Sequence, residues 1–292
     1  MKKRLVLLFG LGFLLIVSCQ DSKSKSYAEG YENAQNKAQI AEEEKIQNAP
    51  VLYVFDGGTI TVNDKNVLRK ADDYEEEVVE LADAFYLIKH PRGILLWDTG
   101  LPERLVGKEP VSTADGAFTL SRKDSITTQL ASVGVAPDDI DFIGLSHVHF
   151  DHTGGANHFK NATWLVPQST LDLIESDSLE ENPYYDPKSF ENLSKSKALT
   201  EDYDVFGDGK VVIKHFPGHE EGHQALFLNL AESDPIVLSG DVYHFKEYGL
   251  QGDSPRSTID LTKFEEFVKN KHAKIYIQHD LEDFEAMPKV IK

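Results

Sequence analysis

The chain has 292 residues, and its 30 basic against 49 acidic side chains leave a formal charge of −19 at pH 7. With 40 % hydrophobic residues it is too apolar to stay disordered, and without a local basic patch such acidity repels nucleic acid and anionic headgroups. The single cysteine, Cys19, excludes disulfides, CxxC redox chemistry and thiolate zinc sites, so any metal must be held by histidines and carboxylates.

In chain order, Lys2, Lys3 and Arg4 precede an apolar run over residues 5–17, shorter than the roughly 20 residues that span a bilayer. Residues 1–19 are therefore predicted to be an export signal. Ile16-Val17-Ser18-Cys19 resembles a bacterial lipobox, whose cleavage leaves the cysteine to carry lipid. The expected location is the periplasm, the outer membrane as a lipoprotein, or the medium. Residues 20–50 are polar, and their composition favours a tether over a solvated helix at 31–47. The folded body is expected to fill residues 51–292 as one domain.

Within it, β-branched and aromatic runs predict strands at 51–55, 84–89 and 94–97, the last two joined by a turn at Pro91-Arg92-Gly93. An amphipathic helix is predicted over 125–133 and a short buried strand over 142–145. A strand at 162–166 leads into a helix after Pro167, and residues 176–202 read as a long polar loop of the kind that often carries function. Strands follow at 211–216, 224–228 and 235–238, then a helix at 261–269 and a strand at 274–277. Two β-rich halves with helices outside each predict an α/β fold, a four-layer αβ/βα sandwich.

Four metal-ligand residue types crowd into Ser146-His147-Val148-His149-Phe150-Asp151-His152, directly after a buried strand. Ligands at i, i+2, i+4 and i+5 of such a loop can turn two histidines to one metal and an Asp-His pair to a second. Gly154-Gly155 is expected to turn the backbone tightly so that a helix begins beside the metals. Pro217-Gly218-His219, Gly240-Asp241 and Gln278-His279-Asp280 each follow a strand, offering further imidazoles and an aspartate placed to bridge.

This order of motifs resembles the metallo-β-lactamase superfamily. Within it, Leu96-Trp97-Asp98-Thr99-Gly100, the 146–152 motif, residues 217–224 and Gln278-His279-Asp280 are similar to the N-acyl-homoserine lactonases that quench quorum sensing. The resemblance covers about residues 51–292. It implies the αβ/βα sandwich and two Zn²⁺ per chain. His147, His149 and His219 match the ligands of one metal; Asp151, His152 and His279 match those of the other; Asp241 matches the bridge. Asp98 and His223 correspond to groups that orient ligands, and Asp151 to the general acid/base.

The implied activity is hydrolysis of the lactone ring of an N-acyl-homoserine lactone by water activated between the metals. The partner is thus a small molecule, with no nucleic acid and with membrane contact only through lipid at Cys19. Phe118, Phe150 and aromatics of 176–202 are candidate walls for the acyl chain. In one place the chain departs from the pattern. Many lactonases of this type carry a tyrosine three residues after the bridging aspartate, whereas here that position is His244 and Tyr243 comes one earlier. Either could donate to the substrate carbonyl, or neither. The histidine also resembles relatives that hydrolyse aryl esters or organophosphates, and a metal-containing binding protein is the non-enzyme alternative.

Overall fold

The computed structural model describes residues 35–40, 43, 45–68, 77–176, 179, 182–244 and 258–292. The export signal and Cys19 lie outside the described residues. The chain divides into two compact units, Met1–Asn48 and Ala49–Lys292. In the first, residues 35–40 and 45–47 are helical and exposed, and Gln39 Nε2 donates to Glu43 Oε1 at 2.9 Å, one turn on. Residues 35–40 and 45–47 thus take the solvated-helix alternative over part of segment 20–50. Its Ala, Gln, Glu and Lys are strong helix formers.

The body is built from two sheets. β1 (Val51–Val62) and β2 (Val79–His90) pair antiparallel over their whole length, with a bulge between Asp56 and Gly58. Both run well beyond the predicted 51–55 and 84–89. Gly57-Gly58 breaks the apolar pattern without ending the strand: a Cβ on Gly57 would lie 2.7 Å from Asp83 O and 2.8 Å from Gly100 Cα, so only glycine passes there. β3 (Gly93–Trp97) forms a hairpin with β2. β5 (Phe118–Ser121) pairs with the end of β1 and β4 (Val111–Ser112) with β5, and neither was predicted. β6 (Phe142–Gly144), β7 (Thr163–Pro167) and β8 (Ser196–Leu199) extend the sheet in parallel from β3, so the 176–202 segment contains a strand.

The second sheet contains β9 (Tyr203–Asp204), β10 (Val211–His215), β11 (Gln224–Leu228) and β12 (Ile236–Leu238), antiparallel in succession, with β13 (Lys274–Tyr276) parallel to β12. The last strand, β14 (Val290–Ile291), returns to the first sheet and pairs with the start of β1. The helices are α1 (Ile126–Ser132), α2 (Phe150–Thr153), α3 (Gln168–Glu175), α4 (Thr258–Lys271) and α5 (Leu281–Ala286). α1 starts where Ser125 accepts the Thr128 N–H at 3.1 Å, and α5 where Asp280 accepts the Asp283 N–H at 2.9 Å.

Strand alternation sorts the side chains into layers. From β2, Ala84, Tyr86 and Ile88 face Val211, Ile213, Leu226 and Leu238 of the other sheet. Phe85 and Leu87 point the opposite way, onto Ile126 and Leu130 of α1. On the far side of the second sheet, Phe227 and Val237 pack against Phe264 and Val268 of α4. The order is helix, sheet, sheet, helix, the predicted αβ/βα sandwich. The loops that leave β3, β6, β12 and β13, together with the β10–β11 connection, carry the histidines and aspartates singled out above.

Candidate metal centre

The centre is assembled at strand ends. β6 stops at Gly144, where a Cβ would meet the Trp97 ring at 2.7 Å. Leu145 and Val148 then anchor in the outer core, which presents His147 and His149 to the other side. α2 begins immediately after His149, placing Asp151 and His152 in its single turn. The helix thus precedes Gly154-Gly155, and neither glycine has a positive φ. They form the expected turn, from which a short 3-10 helix (Ala156–Phe159) begins, and Gly154 also permits close approach, for a Cβ there would fall 2.2 Å from the Leu101 carbonyl carbon.

All seven predicted ligands meet here. His147 Nε2, His149 Nδ1 and His219 Nε2 are separated by 2.8, 3.1 and 3.0 Å. In the second group, Asp151 Oδ2 lies 3.6 Å from His279 Nε2, and Asp151 Oδ1 lies 3.9 Å from His152 Nε2. Asp241 stands between the groups. Its Oδ1 is 3.3 Å from His152 Nε2 and 3.2 Å from His279 Nε2, while its Oδ2 is 3.5 Å from His219 Nε2 and 3.9 Å from His147 Nε2.

These residues fit a pair of cations. A neutral imidazole offers one N–H and one lone pair, so three ring nitrogens facing one another cannot all be satisfied by hydrogen bonds. Buried His152 Nε2 and Asp241 Oδ1 have no hydrogen-bond partner among the described residues. Zinc with bonds of about 2.0–2.1 Å in tetrahedral geometry sets neighbouring ligand nitrogens about 3.3 Å apart, close to the spacing of the first group. Imidazole and carboxylate together suit that borderline ion.

The outer atoms hold the ligands in place. Asp98, at φ +57°, accepts the Ser146 N–H at 2.6 Å through Oδ1 and faces His152 Nδ1 at 3.2 Å through Oδ2. His279 Nδ1 donates to Ala82 O at 2.8 Å. His223 Nδ1 donates to Phe216 O at 3.2 Å, and its Nε2 accepts the Asp241 N–H at 3.0 Å. Burial pushes His223 down to about 4, so it stays neutral and keeps that acceptor. Asp98 and His223 thus occupy the orienting positions expected of them. Burial, then the facing imidazoles, hold His147 well below the usual histidine range, as a ligand requires. Burial also opposes charge on His152, but Asp241, Asp98 and Asp151 outweigh it and hold that ring well above its ordinary value. The carboxylates of the centre call for positive charge.

A cavity of about 280 Å³ opens over both groups. His149, Asp151, His219, Asp241, His244 and His279 form its polar side, and Phe118, Phe150 and Tyr184 belong to its apolar side. His244 Nε2 lies 3.4 Å from Asp241 Oδ2. Tyr243, the other candidate donor, is turned away: its ring packs on Phe264 and its hydroxyl donates to Glu265 Oε1 at 3.0 Å. The backbone at Tyr243 is extended, so neighbouring side chains leave on opposite faces. Two carboxyls escaped the sequence reasoning. Asp83 is fully buried behind the second group, and burial pushes it up to about 8. Glu220 stands beside His149, in the very stretch that supplied His219.

Residues 82–279 match the metallo-beta-lactamase superfamily, a span that takes in all seven convergent residues. The chain belongs to that superfamily. Among members of this superfamily, it is 30 % identical over 211 residues to the N-acyl homoserine lactonase AiiA of Bacillus thuringiensis subsp. kurstaki, covering 68 % of this chain and 80 % of that one. It is 29 % identical over 247 residues to the N-acyl homoserine lactonase AttM of Rhizobium radiobacter, covering 78 % and 92 %. A solved N-acyl homoserine lactone hydrolase, with the product N-hexanoyl-L-homoserine at its catalytic metal centre, superposes with a TM-score of 0.72 at 25 % identity over 82 % of this chain and 97 % of that one.

Proposed function

We propose that this metallo-beta-lactamase-fold protein hydrolyses the ring ester of N-acyl homoserine lactones, releasing the open-chain N-acyl homoserine and so quenching the signal. It is a metal-dependent hydrolase with two zinc ions per chain. His147, His149 and His219 would hold one ion, Asp151, His152 and His279 the other, and Asp241 both. One observation carries the proposal: the two oxygens of Asp241 face different ligand groups at the floor of a cavity with an apolar wall.

When bound, the ions supply Lewis acidity at the ester carbonyl and bring the pKa of water toward about 7. The chain provides the rest. Asp151, exposed to the cavity, takes the proton that the attacking water gives up and returns it to the ring oxygen as the C–O bond breaks. His244 Nε2 donates to the carbonyl oxygen as negative charge develops there. Phe118, Phe150 and Tyr184 receive the acyl chain and exclude water from it. Incubating zinc-replete protein with a panel of lactones, β-lactams, thioesters and phosphotriesters tests the assignment. Acyl homoserine should form from the lactones fastest, and preferential turnover of a phosphotriester or β-lactam would overturn it.

The proposal includes export with a lipid at Cys19, supported by the basic start, the short apolar run and Ile16-Val17-Ser18-Cys19. Protein made in a bacterial host should take up a fatty-acid probe, and Cys19→Ser should not. Unlabelled wild type would leave only a plain signal peptide.

A further inference from the structure

Glu220 belongs to neither ligand group and does not line the cavity, yet its side chain is only 6 % exposed and its Oε1 lies 3.3 Å from His149 Nε2. Its Oε2 accepts the Val148 N–H at 3.3 Å. Burial, and then the Glu220 carboxylate beside it, raise the Tyr185 phenol above its ordinary value. Tyr185 is further clasped to His149 by an isolated β-bridge and by rings 5.1 Å apart, and the next N–H, that of Phe150, donates to Tyr184 O at 2.8 Å. Tyr184 in turn forms part of the cavity wall.

His149 faces the other imidazoles through Nδ1, so as a neutral ligand it must carry its proton on Nε2, the atom that lies 3.3 Å from Glu220 Oε1, a buried oxygen with no hydrogen-bond partner among the described residues. A carboxylate there fixes the tautomer and ring orientation and raises the ring's basicity. Asp98 does this for His152, but Asp98 is rooted in the loop after β3. Glu220 instead stands beside Tyr185, whose neighbour Tyr184 belongs to the cavity wall. We propose that Glu220 is a positioning residue that holds His149 as an Nδ1 ligand and, through Tyr185, couples metal retention by His147, His149 and His219 to the seating of the wall at Tyr184. Such coupling runs both ways: metal steadies the wall, and the wall steadies the metal.

Two measurements test this, with neither reading lactone turnover: zinc titration against a chromophoric chelator, and hydrogen exchange of residues 182–186 with and without zinc. Glu220→Gln keeps the shape of the side chain. It should bind one of the two zinc equivalents about tenfold or more weakly while the other is held as in wild type, a selectivity that misfolding does not produce. In wild type, removing zinc should speed exchange over 182–186, and Glu220→Gln should show that faster exchange even when zinc is present. Tyr185→Phe should abolish the response of the wall to zinc with a smaller loss of affinity. Unchanged zinc affinity in Glu220→Gln, an equal loss at both equivalents, or a wild-type wall indifferent to zinc would each overturn the proposal. A wild type that binds no zinc overturns it together with the metal centre. A wild type that binds two zinc ions but leaves lactones intact overturns the proposed function alone.

Discussion

The two ligand groups share Asp241 but are supported differently. His152 and His279 are buried and tied to the first sheet, one through Asp98 after β3 and the other through Ala82 of β2. His149 is 17 % exposed at the start of a four-residue helix, and His219 sits in the β10–β11 connection. The second group has a carboxylate of its own in Asp151, while the first is all imidazole. One half of the centre is therefore hydrogen-bonded to the sheet framework, while the other hangs on loops, although the His147 and His219 side chains are buried as well. The loop half is also joined, by the bridge between His149 and Tyr185, to the segment that carries the wall residue Tyr184. A sheet-anchored and more anionic set should keep its ion longer, and stepwise removal of zinc with EDTA should empty the His147, His149 and His219 group first. Simultaneous loss of both ions would erase the distinction.

Asp241→Ala removes the one group both halves use. It should lower kcat by about 10³ or more and cost both zinc ions, because several kcal/mol of transition-state stabilisation depend on the pair. Loss of only one ion would show that Asp241 serves a single site. His244→Phe comes next, with an expected fall in kcat of about 10² and full zinc content, whereas Tyr243→Phe should leave kcat alone. Loss of zinc from His244→Phe would make that residue a ligand, an arrangement that the convergence of His219, Asp241 and His244 permits. Asp98→Ala sharpens the contrast from the framework side. It should weaken the second ion by about 10–100-fold and leave the first nearly unaffected, the mirror image of Glu220→Gln. Smallest for activity is Phe264→Ala beneath α4. It should destabilise the fold by about 3–5 kcal/mol in denaturant titration with zinc content unchanged.

Both halves were legible in the sequence. His147, His149, Asp151 and His152 fall in one short motif whose place is set by a strand end, and the core strands announced themselves as β-branched runs. The helix-forming residues of 35–47 were less decisive, because their polarity suits a tether equally well. Gly57-Gly58 hid the length of β1, since a bulge through a pair of glycines looks like a strand end until Asp83 and Gly100 are seen pressing on it. β4, β5 and β14 are too short to show alternation. Tyr243 and His244 could not be separated without the local backbone, because a shift of one residue exchanges their faces. Glu220 gave no signal of its own. A glutamate beside a glutamate in a charged turn reads as solvated surface, and only the fold places it, buried, against His149 and Val148.

The most direct measurement follows ring opening against zinc content. Metal-stripped protein is titrated with zinc while proton release from an N-acyl homoserine lactone is recorded, with the product identified as the acyl homoserine. Activity should climb to a plateau at two equivalents per chain. A plateau at one equivalent, or full turnover with none, would contradict the dinuclear centre, and an intact lactone at two equivalents would contradict the function assigned to it.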